Sequence, residues 1–91
     1  MDSQAIKLTQ DLSTKTLHVT EAKTNKPLPR SYVKIYAETT DGETVFFKDG
    51  YTDLRGQFPY QAHTRIPPHS IKRYAIFTTH AEFGSKILIT K

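Results

Sequence analysis

The length, composition and charge of the chain set the first limits on what it can be. It has 91 residues, of which 36% are hydrophobic and 24% charged, so we predict one domain over residues 1–91 and exclude a disordered chain. The net charge of +4 comes from basic residues scattered along the sequence, a distribution that does not favour nucleic-acid binding. The absence of cysteine excludes disulfides, thiolate chemistry and cysteine-based zinc sites.

In the first part of the chain, apolar residues alternate with polar ones, as in strands that bury one face. This period of two predicts three strands, because no segment shows the spacing of an amphipathic helix. The alternating runs are built on Ile6 and Leu8, on Leu17 and Val19, and on Val33, Ile35 and Ala37.

The second part of the chain contains four further runs. ETVFFK has aromatic residues on both faces, and QFPY contains Pro59, which favours an edge strand or a strand end. IKRYAIFTTH, residues 71–80, is apolar on both faces in its middle, as expected of a central strand. SKILITK follows as a β-branched run.

Turn residues separate these runs at regular intervals. Asp41-Gly42 is the strongest hairpin signal, and at Gly50 and Gly56 we predict backbone angles that other residues avoid. The other turn segments are TNKPLP, RIPPHS and AEFGS. The predicted fold class is therefore all-β, an antiparallel two-sheet sandwich of about seven strands, prealbumin-like or immunoglobulin-like.

LHVTEAKTNKPLPRSYVKIYAE, residues 17–38, resembles the opening of transthyretin-like and carboxypeptidase-regulatory-like domains. Those domains have a strand, a turn of the form Thr-Gly-Lys-Pro-Leu and a strand of the form Val-x-Val-Tyr. Asn25 stands in place of the turn glycine, and asparagine is the next most tolerant residue of a positive φ. GYTDLRGQFPY resembles their Thr-Asp-x-x-Gly-x-Phe segment.

The longer pattern FFKDGYTDLRGQFPY, IKRYAIF and EFGSKI is similar to a β-sandwich domain, without an assigned activity, found at the ends of very long multidomain proteins. The similarity extends over about residues 16–89. It implies the fold, but a shared fold does not imply an activity.

An enzymatic alternative comes from the transthyretin-like resemblance, because some members hydrolyse 5-hydroxyisourate. They place a histidine on the first strand, an arginine after a Thr-x-x-x-Gly turn and a second histidine in a C-terminal Tyr-Arg-Gly-Ser segment. His18 matches the first position and points away from the core. Gln57 occupies the arginine position and the last residues read KILITK, so we predict no catalytic residue and keep a hydrolase using His18 as the alternative.

We predict no cofactor and no metal site. The histidines at positions 18, 63, 69 and 80 lack short ligand spacing, and DGYTDLRGQFPY lacks EF-hand ligands at its third and twelfth positions. We predict instead that the Asp53 carboxylate accepts hydrogen bonds from the backbone of the DLRG turn.

The candidate partner-binding surface combines aromatic and basic side chains. Alternation places two tyrosines and a lysine on the outward face of one strand, a strip suited to protein or glycan contact. The segment KDGYTDLRGQFPY, residues 48–60, adds further aromatic and basic residues at one end of the sandwich. The candidate residues are Tyr32, Lys34, Tyr36, Lys48, Tyr51 and Arg55.

These features predict a non-catalytic structural or protein-interaction module within a larger protein or assembly. Its partner would be another protein or neighbouring domains of a longer chain, bound through this surface or through a strand edge such as KILITK. A glycan-binding or adhesion role is a further alternative. No apolar run follows Met1, so we predict no signal peptide, and no apolar run comes near the roughly 18 residues of a membrane span. The sequence leaves compartment and oligomeric state open.

Overall fold

The regular secondary structure is almost entirely β-strand. The computed structural model describes residues 5–60 and 68–90. Within these ranges a 3-10 helix, Pro68–Ser70, precedes the sixth of seven strands. The strands are β1 (Ile6–Asp11), β2 (Thr16–Glu21), β3 (Tyr32–Thr39), β4 (Thr44–Tyr51), β5 (Gln57–Pro59), β6 (Ile71–His80) and β7 (Gly84–Ile89).

The strands form two sheets that pack against each other. One sheet has three strands in the order β1-β2-β5, and the other has four in the order β4-β3-β6-β7. Neighbouring strands are antiparallel throughout. The predicted fold class, an all-β antiparallel sandwich of about seven strands, is therefore confirmed.

Alternate residues of both sheets build the core, as the period of two predicts. Leu17 and Val19 of β2 and Val33 and Ile35 of β3 are fully buried. They form one cluster with Ile6, Leu28, Phe58, Tyr60 and Ile76. Full burial of a Val, Leu, Ile or Phe side chain contributes about 1.5–3 kcal/mol, so this cluster holds the two sheets together.

Strand positions within the sheets account for the composition of the later runs. β6 lies between β3 and β7, so neither of its edges is exposed and its middle is apolar on both faces. β5 is an outer strand of the three-stranded sheet, where Pro59 removes no ladder hydrogen bond. β7 is an outer strand of the four-stranded sheet.

The two Asp-Gly pairs have different roles. Gly42 lies in the β3–β4 turn with a φ of 91°, and its N–H donates to the Thr39 carbonyl at 3.0 Å, as predicted for a hairpin. The special backbone conformation predicted at Gly50 is wrong, since Asp49 and Gly50 both lie within β4 and Gly50 has no positive φ. Glycine is required there for space, because a Cβ would lie 2.7 Å from Phe58 Cε1.

A tight corner connects β4 to the three-stranded sheet at Gly56, which has a φ of 69°. Its carbonyl accepts a hydrogen bond from Val19 N at 2.7 Å, and the Val19 carbonyl accepts one from Leu28 N at 3.0 Å. A Cβ on Gly56 would lie 2.5 Å from Val19 O. The corner therefore requires glycine both for its φ and for its space, which confirms the prediction at this position.

Buried hydroxyls fix the loop between β2 and β3. Thr52 Oγ1 donates to the Leu28 carbonyl at 2.7 Å and accepts a hydrogen bond from Ser31 N at 2.9 Å. Ser31 Oγ also donates to the Leu28 carbonyl, at 3.0 Å. Asn25 in this loop has a φ of 59°, as expected of a residue in place of a turn glycine.

Candidate protein-docking face

The outward side of the four-stranded sheet carries aromatic and aliphatic side chains. Val33, Ile35 and Ile76 point into the core, so the residues that alternate with them point outward. We call this outward surface the aromatic face. It comprises Tyr32, Lys34, Tyr36, Glu38, Thr44, Phe46, Asp49, Tyr51, Arg73, Ala75, Phe77, Thr79, Ser85, Ile87 and Ile89.

Cross-strand pairing arranges these side chains in rows. Directly opposed residues on neighbouring strands have Cβ atoms about 4.5–5.5 Å apart, so each row is continuous. In the central row the small Ala75 lies between the larger Tyr36 and Ile89. Across β4, β3, β6 and β7 this row reads Phe46, Tyr36, Ala75, Ile89, and the adjacent row reads Asp49, Lys34, Phe77, Ile87.

Edge-to-face contacts hold the rings of the aromatic face in place. The Tyr36 ring lies 6.2 Å from that of Phe46 and 5.9 Å from that of Phe77, with interplanar angles of 83° and 88°. Tyr32 and Tyr51 make a third such contact at 5.5 Å. These arrangements suit the ring quadrupoles, so each contact stabilises the positions of the rings that it joins.

The apolar side chains of the aromatic face remain open to solvent. Single exposed apolar residues are ordinary on a protein surface, but a contiguous patch marks a contact site. The exposed fractions are 52% for Phe46, 68% for Tyr51, 37% for Phe77, 43% for Ile87 and 53% for Ile89.

The charges near the β4 side of the face are held by neighbouring tyrosines. The Tyr32 hydroxyl donates to Asp49 Oδ2 at 2.8 Å, and this hydrogen bond raises the pKa of Tyr32. Lys34 Nζ lies 5.4 Å from the centroid of the Tyr36 ring, a cation–π distance. Interaction with the Tyr36 hydroxyl raises the pKa of Lys34, so the amine is protonated at neutral pH.

A second opposite-charge pair lies at the far end of the same strands. Arg73 Nε is 3.5 Å from Glu38 Oε2, and the two residues are directly opposed on β6 and β3. With Lys34 and Asp49, the face carries equal numbers of positive and negative side chains. It therefore has no net charge, although the whole chain has a net charge of +4.

The structure brings together part of the surface predicted from the sequence. Tyr32, Lys34, Tyr36 and Tyr51 all lie on the aromatic face. The side chains that sequence reasoning did not include are Phe46, Phe77, Ile87 and Ile89. All four occupy outward positions of the later strands. Phe77, Ile87 and Ile89 could be placed on this face only once the pairing of β6 with β3 and β7 was known, and Phe46 only once the pairing of β4 with β3 was known.

The other two predicted residues, Lys48 and Arg55, lie away from the aromatic face. Lys48 Nζ donates to the Pro59 carbonyl at 2.6 Å and lies 5.1 Å from the centroid of the Phe58 ring, so this side chain links β4 to β5. A β-bulge at Phe47 explains this position, because it shifts the register between Ile35 and Tyr36 of β3.

Arg55 lies in the exposed turn between β4 and β5, which is ordered by Asp53. Asp53 Oδ1 accepts hydrogen bonds from Gln57 N at 3.0 Å and Arg55 N at 2.9 Å, as predicted. The bond from the Gln57 amide is the main reason that the pKa of Asp53 is lowered. Asp53 thus has a structural role in forming the turn.

The described residues do not assemble the site required by the hydrolase alternative. His18 is half-buried on β2, and its directly opposed neighbours are Thr9 and Gln57. An open cavity of about 310 Å³ lies at the β1–β7 side of the sandwich. Its lining is Gln10, Leu12, Lys15, Tyr60, Tyr74, Leu88, Ile89 and Thr90, which includes no histidine and no arginine.

The described part of the chain contains neither a metal-binding cluster nor a membrane-spanning helix. Over residues 5–60 and 68–90, no group of three or more histidine, aspartate or glutamate side chains is placed to hold a metal ion. His63 lies outside these residues. The described part of the chain also has no helix with the length and apolar character needed to cross a membrane.

Comparison with known proteins gives the chain a family. Residues 5–91 match the immunoglobulin-like family described as the AbpF C-terminal domain. The chain belongs to this family. It is also similar to Actin-binding protein F of Dictyostelium discoideum, with 30% identity over 71 residues, which cover 78% of this chain and 3% of that protein. No solved structure matches.

The matches support one of the two resemblances found in the sequence. The similarity to a domain of very long multidomain proteins agrees with a segment that makes up 3% of the Dictyostelium protein. Neither match is to a transthyretin-like or carboxypeptidase-regulatory-like family. Neither supports the hydrolase or the glycan-binding alternative.

Proposed function

We propose that the chain is a non-catalytic protein-interaction module that docks on its partner through the aromatic face. The observation that carries the proposal is the set of exposed apolar side chains on one side of one sheet: Phe46, Tyr51, Phe77, Ile87 and Ile89. Removing apolar surface from water contributes about 25 cal/mol per Å², and aromatic side chains dominate many interface energies. The edge-to-face contacts also stabilise the positions of the rings, which lowers the entropic cost of binding.

The family supports the non-catalytic part of the proposal. The Dictyostelium relative is named for binding actin, and the matched segment is a small part of it. We therefore propose that this module serves a larger protein that acts with actin. The described titratable groups support the same reading, because Asp53 orders a turn and Lys48 links two strands.

Hydroxyl-radical footprinting of the endogenous full-length protein in its native assembly tests this function. We expect Phe46, Tyr51 and Phe77 to be oxidised several-fold more slowly there than in the isolated, dilute chain. Leu12 and Leu54, which are 73% and 81% exposed and lie in turns, provide the internal controls.

The comparison separates docking at the face from a general loss of accessibility. Protection at the aromatic face with unchanged oxidation of the two leucines supports the proposal. Equal oxidation of the face in the isolated chain and in the assembly would show that nothing binds there.

A further inference from the structure

We propose that the partner seated on the aromatic face is a second copy of this chain, joined in a two-fold symmetric dimer. This rests on the proposed docking function of the face and adds the identity of the occupant. The reason lies in two cross-strand rows, those of Tyr36 with Ala75 and of Glu38 with Arg73, which are complementary to themselves when the face is turned over. The row between Asp49 and Ile87 sets the Lys34 amine against the partner's Phe77 ring, a cation–π pairing.

The relevant two-fold axis lies between the facing sheets, parallel to the strands and midway between β3 and β6. Rotation about it places β3 over the partner's β6 and β4 over the partner's β7, while positions along the strands are kept. Each cross-strand row therefore meets the same row in reverse order. Aligned sheets cross at about 30° because of their twist, but residues next to the axis stay opposed.

The central row meets itself with large side chains opposite small ones. Tyr36 is directly opposed to Ala75 within the chain, so in the dimer the Tyr36 ring lies over the partner's small Ala75. Phe46 and Ile89 occupy the two ends of this row, so each faces the other type across the interface. Both contacts occur twice by symmetry, which gives the close packing that stable interfaces show.

The next row meets itself with opposite charges. Glu38 and Arg73 are directly opposed on β3 and β6, so the rotation sets Glu38 against the partner's Arg73, and Arg73 against the partner's Glu38. Their side chains are 33% and 39% exposed, so both can reach across.

Charge and area also favour a second copy over an acidic partner. The face is neutral, so the basic residues that give the chain its charge of +4 lie elsewhere and two copies do not repel each other at this surface. The exposed apolar side chains supply roughly 500 Å². Standard interfaces bury about 800 Å² per partner, so these side chains supply more than half of that area and the polar groups beside them supply the rest.

Sedimentation velocity of the chain from micromolar to millimolar concentration tests the dimer. We expect wild-type protein to dimerise, and Glu38→Arg or Arg73→Glu each to weaken dimerisation about tenfold or more, because each places like charges together twice. Mixing the two variants should restore a heterodimer, since both charge pairs are then complementary. Lys7→Glu, a charge reversal on β1 of the other sheet, should leave the affinity unchanged.

Each result bears on the proposal. Far-UV circular dichroism of every variant shows whether it is folded. Ala75→Arg, which places a long charged side chain opposite the partner's Tyr36, should abolish the dimer in a folded chain. A wild-type chain that stays monomeric throughout, or charge variants that fail to pair on mixing, would overturn the two-fold dimer.

Failure of the dimer can be distinguished from failure of the docking function. Co-sedimentation of a monomeric chain with filamentous actin, lost on Ala75→Arg, would keep the aromatic face as a docking surface but make actin its occupant. Absence of footprint protection at the face in the native assembly would instead remove both proposals.

Discussion

Replacement of Gly56 by alanine should destabilise the protein much more than the same replacement at Gly42. Both glycines have a positive φ, 69° and 91° respectively. They differ in the space available for a side chain. A Cβ on Gly42 would have no atom within 4 Å, whereas on Gly56 it would lie 2.5 Å from Val19 O and 3.0 Å from Leu28 N.

The loss of stability in each variant follows from the cost of a positive φ and the cost of crowding around the added Cβ. A non-glycine residue in the left-handed region costs about 1–2 kcal/mol, and alanine recovers about 0.4–1 kcal/mol by restricting the unfolded chain, so Gly42→Ala should cost about 1 kcal/mol. At Gly56 the clash is with backbone, and relieving it strains the Val19–Gly56 and Leu28–Val19 hydrogen bonds. Overpacking costs about 1–3 kcal/mol and each weakened bond about 1 kcal/mol, so Gly56→Ala should cost about 3–5 kcal/mol.

Urea unfolding of both variants, followed by tyrosine fluorescence and far-UV circular dichroism, measures the difference. For a chain of this size a difference of about 2–4 kcal/mol corresponds to roughly 10–25 °C in melting temperature. Equal losses for the two variants, within about 0.5 kcal/mol, would show that φ alone sets the cost and that the crowding at the corner has no energetic weight.

Three further predictions concern the polar groups. Thr52→Val should lower the free energy of unfolding by about 1–3 kcal/mol, because it leaves the Ser31 N–H buried without its acceptor. Ser31→Ala should lower it less, since Thr52 still donates to the Leu28 carbonyl. Equal losses of stability in the two variants would contradict this difference. The pKa of Asp53 is lowered in the folded state, so its stabilisation is present above its ordinary value of about 3.9 and is lost as pH falls through the folded pKa. The stability difference between wild type and Asp53→Asn in urea titrations should therefore shrink towards acid pH, and a constant difference would refute the role of the carboxylate. Burial raises the pKa of Tyr74, so at high pH the folded state keeps a proton that the unfolded state releases. The free energy of unfolding should therefore fall as pH rises above about 10, and Tyr74→Phe should reduce this fall. An unchanged pH profile in Tyr74→Phe would show that the Tyr74 hydroxyl does not cause the fall.

Local patterns in the sequence predicted much of the structure. Alternation identified the strands and their buried residues, such as Leu17, Val19 and Val33. The Asp41-Gly42 pair marked a hairpin and Gly56 a corner, because these conformations depend on a few adjacent residues. The same reasoning failed at Asp49-Gly50, where the ring of Phe58 packs on the strand from a distant part of the chain.

The candidate docking face was predictable only in part. Tyr32, Lys34 and Tyr36 alternate along a single strand, so the sequence placed them on one surface. The sequence placed Lys48 at one end of the sandwich, and in the structure the bulge at Phe47 turns its side chain towards β5, away from the aromatic face. Phe77 was not assigned, because its neighbours on the sheet are far from it in the sequence.

The sequence by itself determined that the chain forms short strands with one buried face and which side chains each strand presents to water. Only the tertiary structure decided which of these side chains become neighbours: Tyr36 beside Ala75, and Glu38 beside Arg73. The physical reason is that the direction of a side chain depends on the residues next to it, whereas a surface depends on strand order and register. Those are fixed by packing among segments that are distant along the chain.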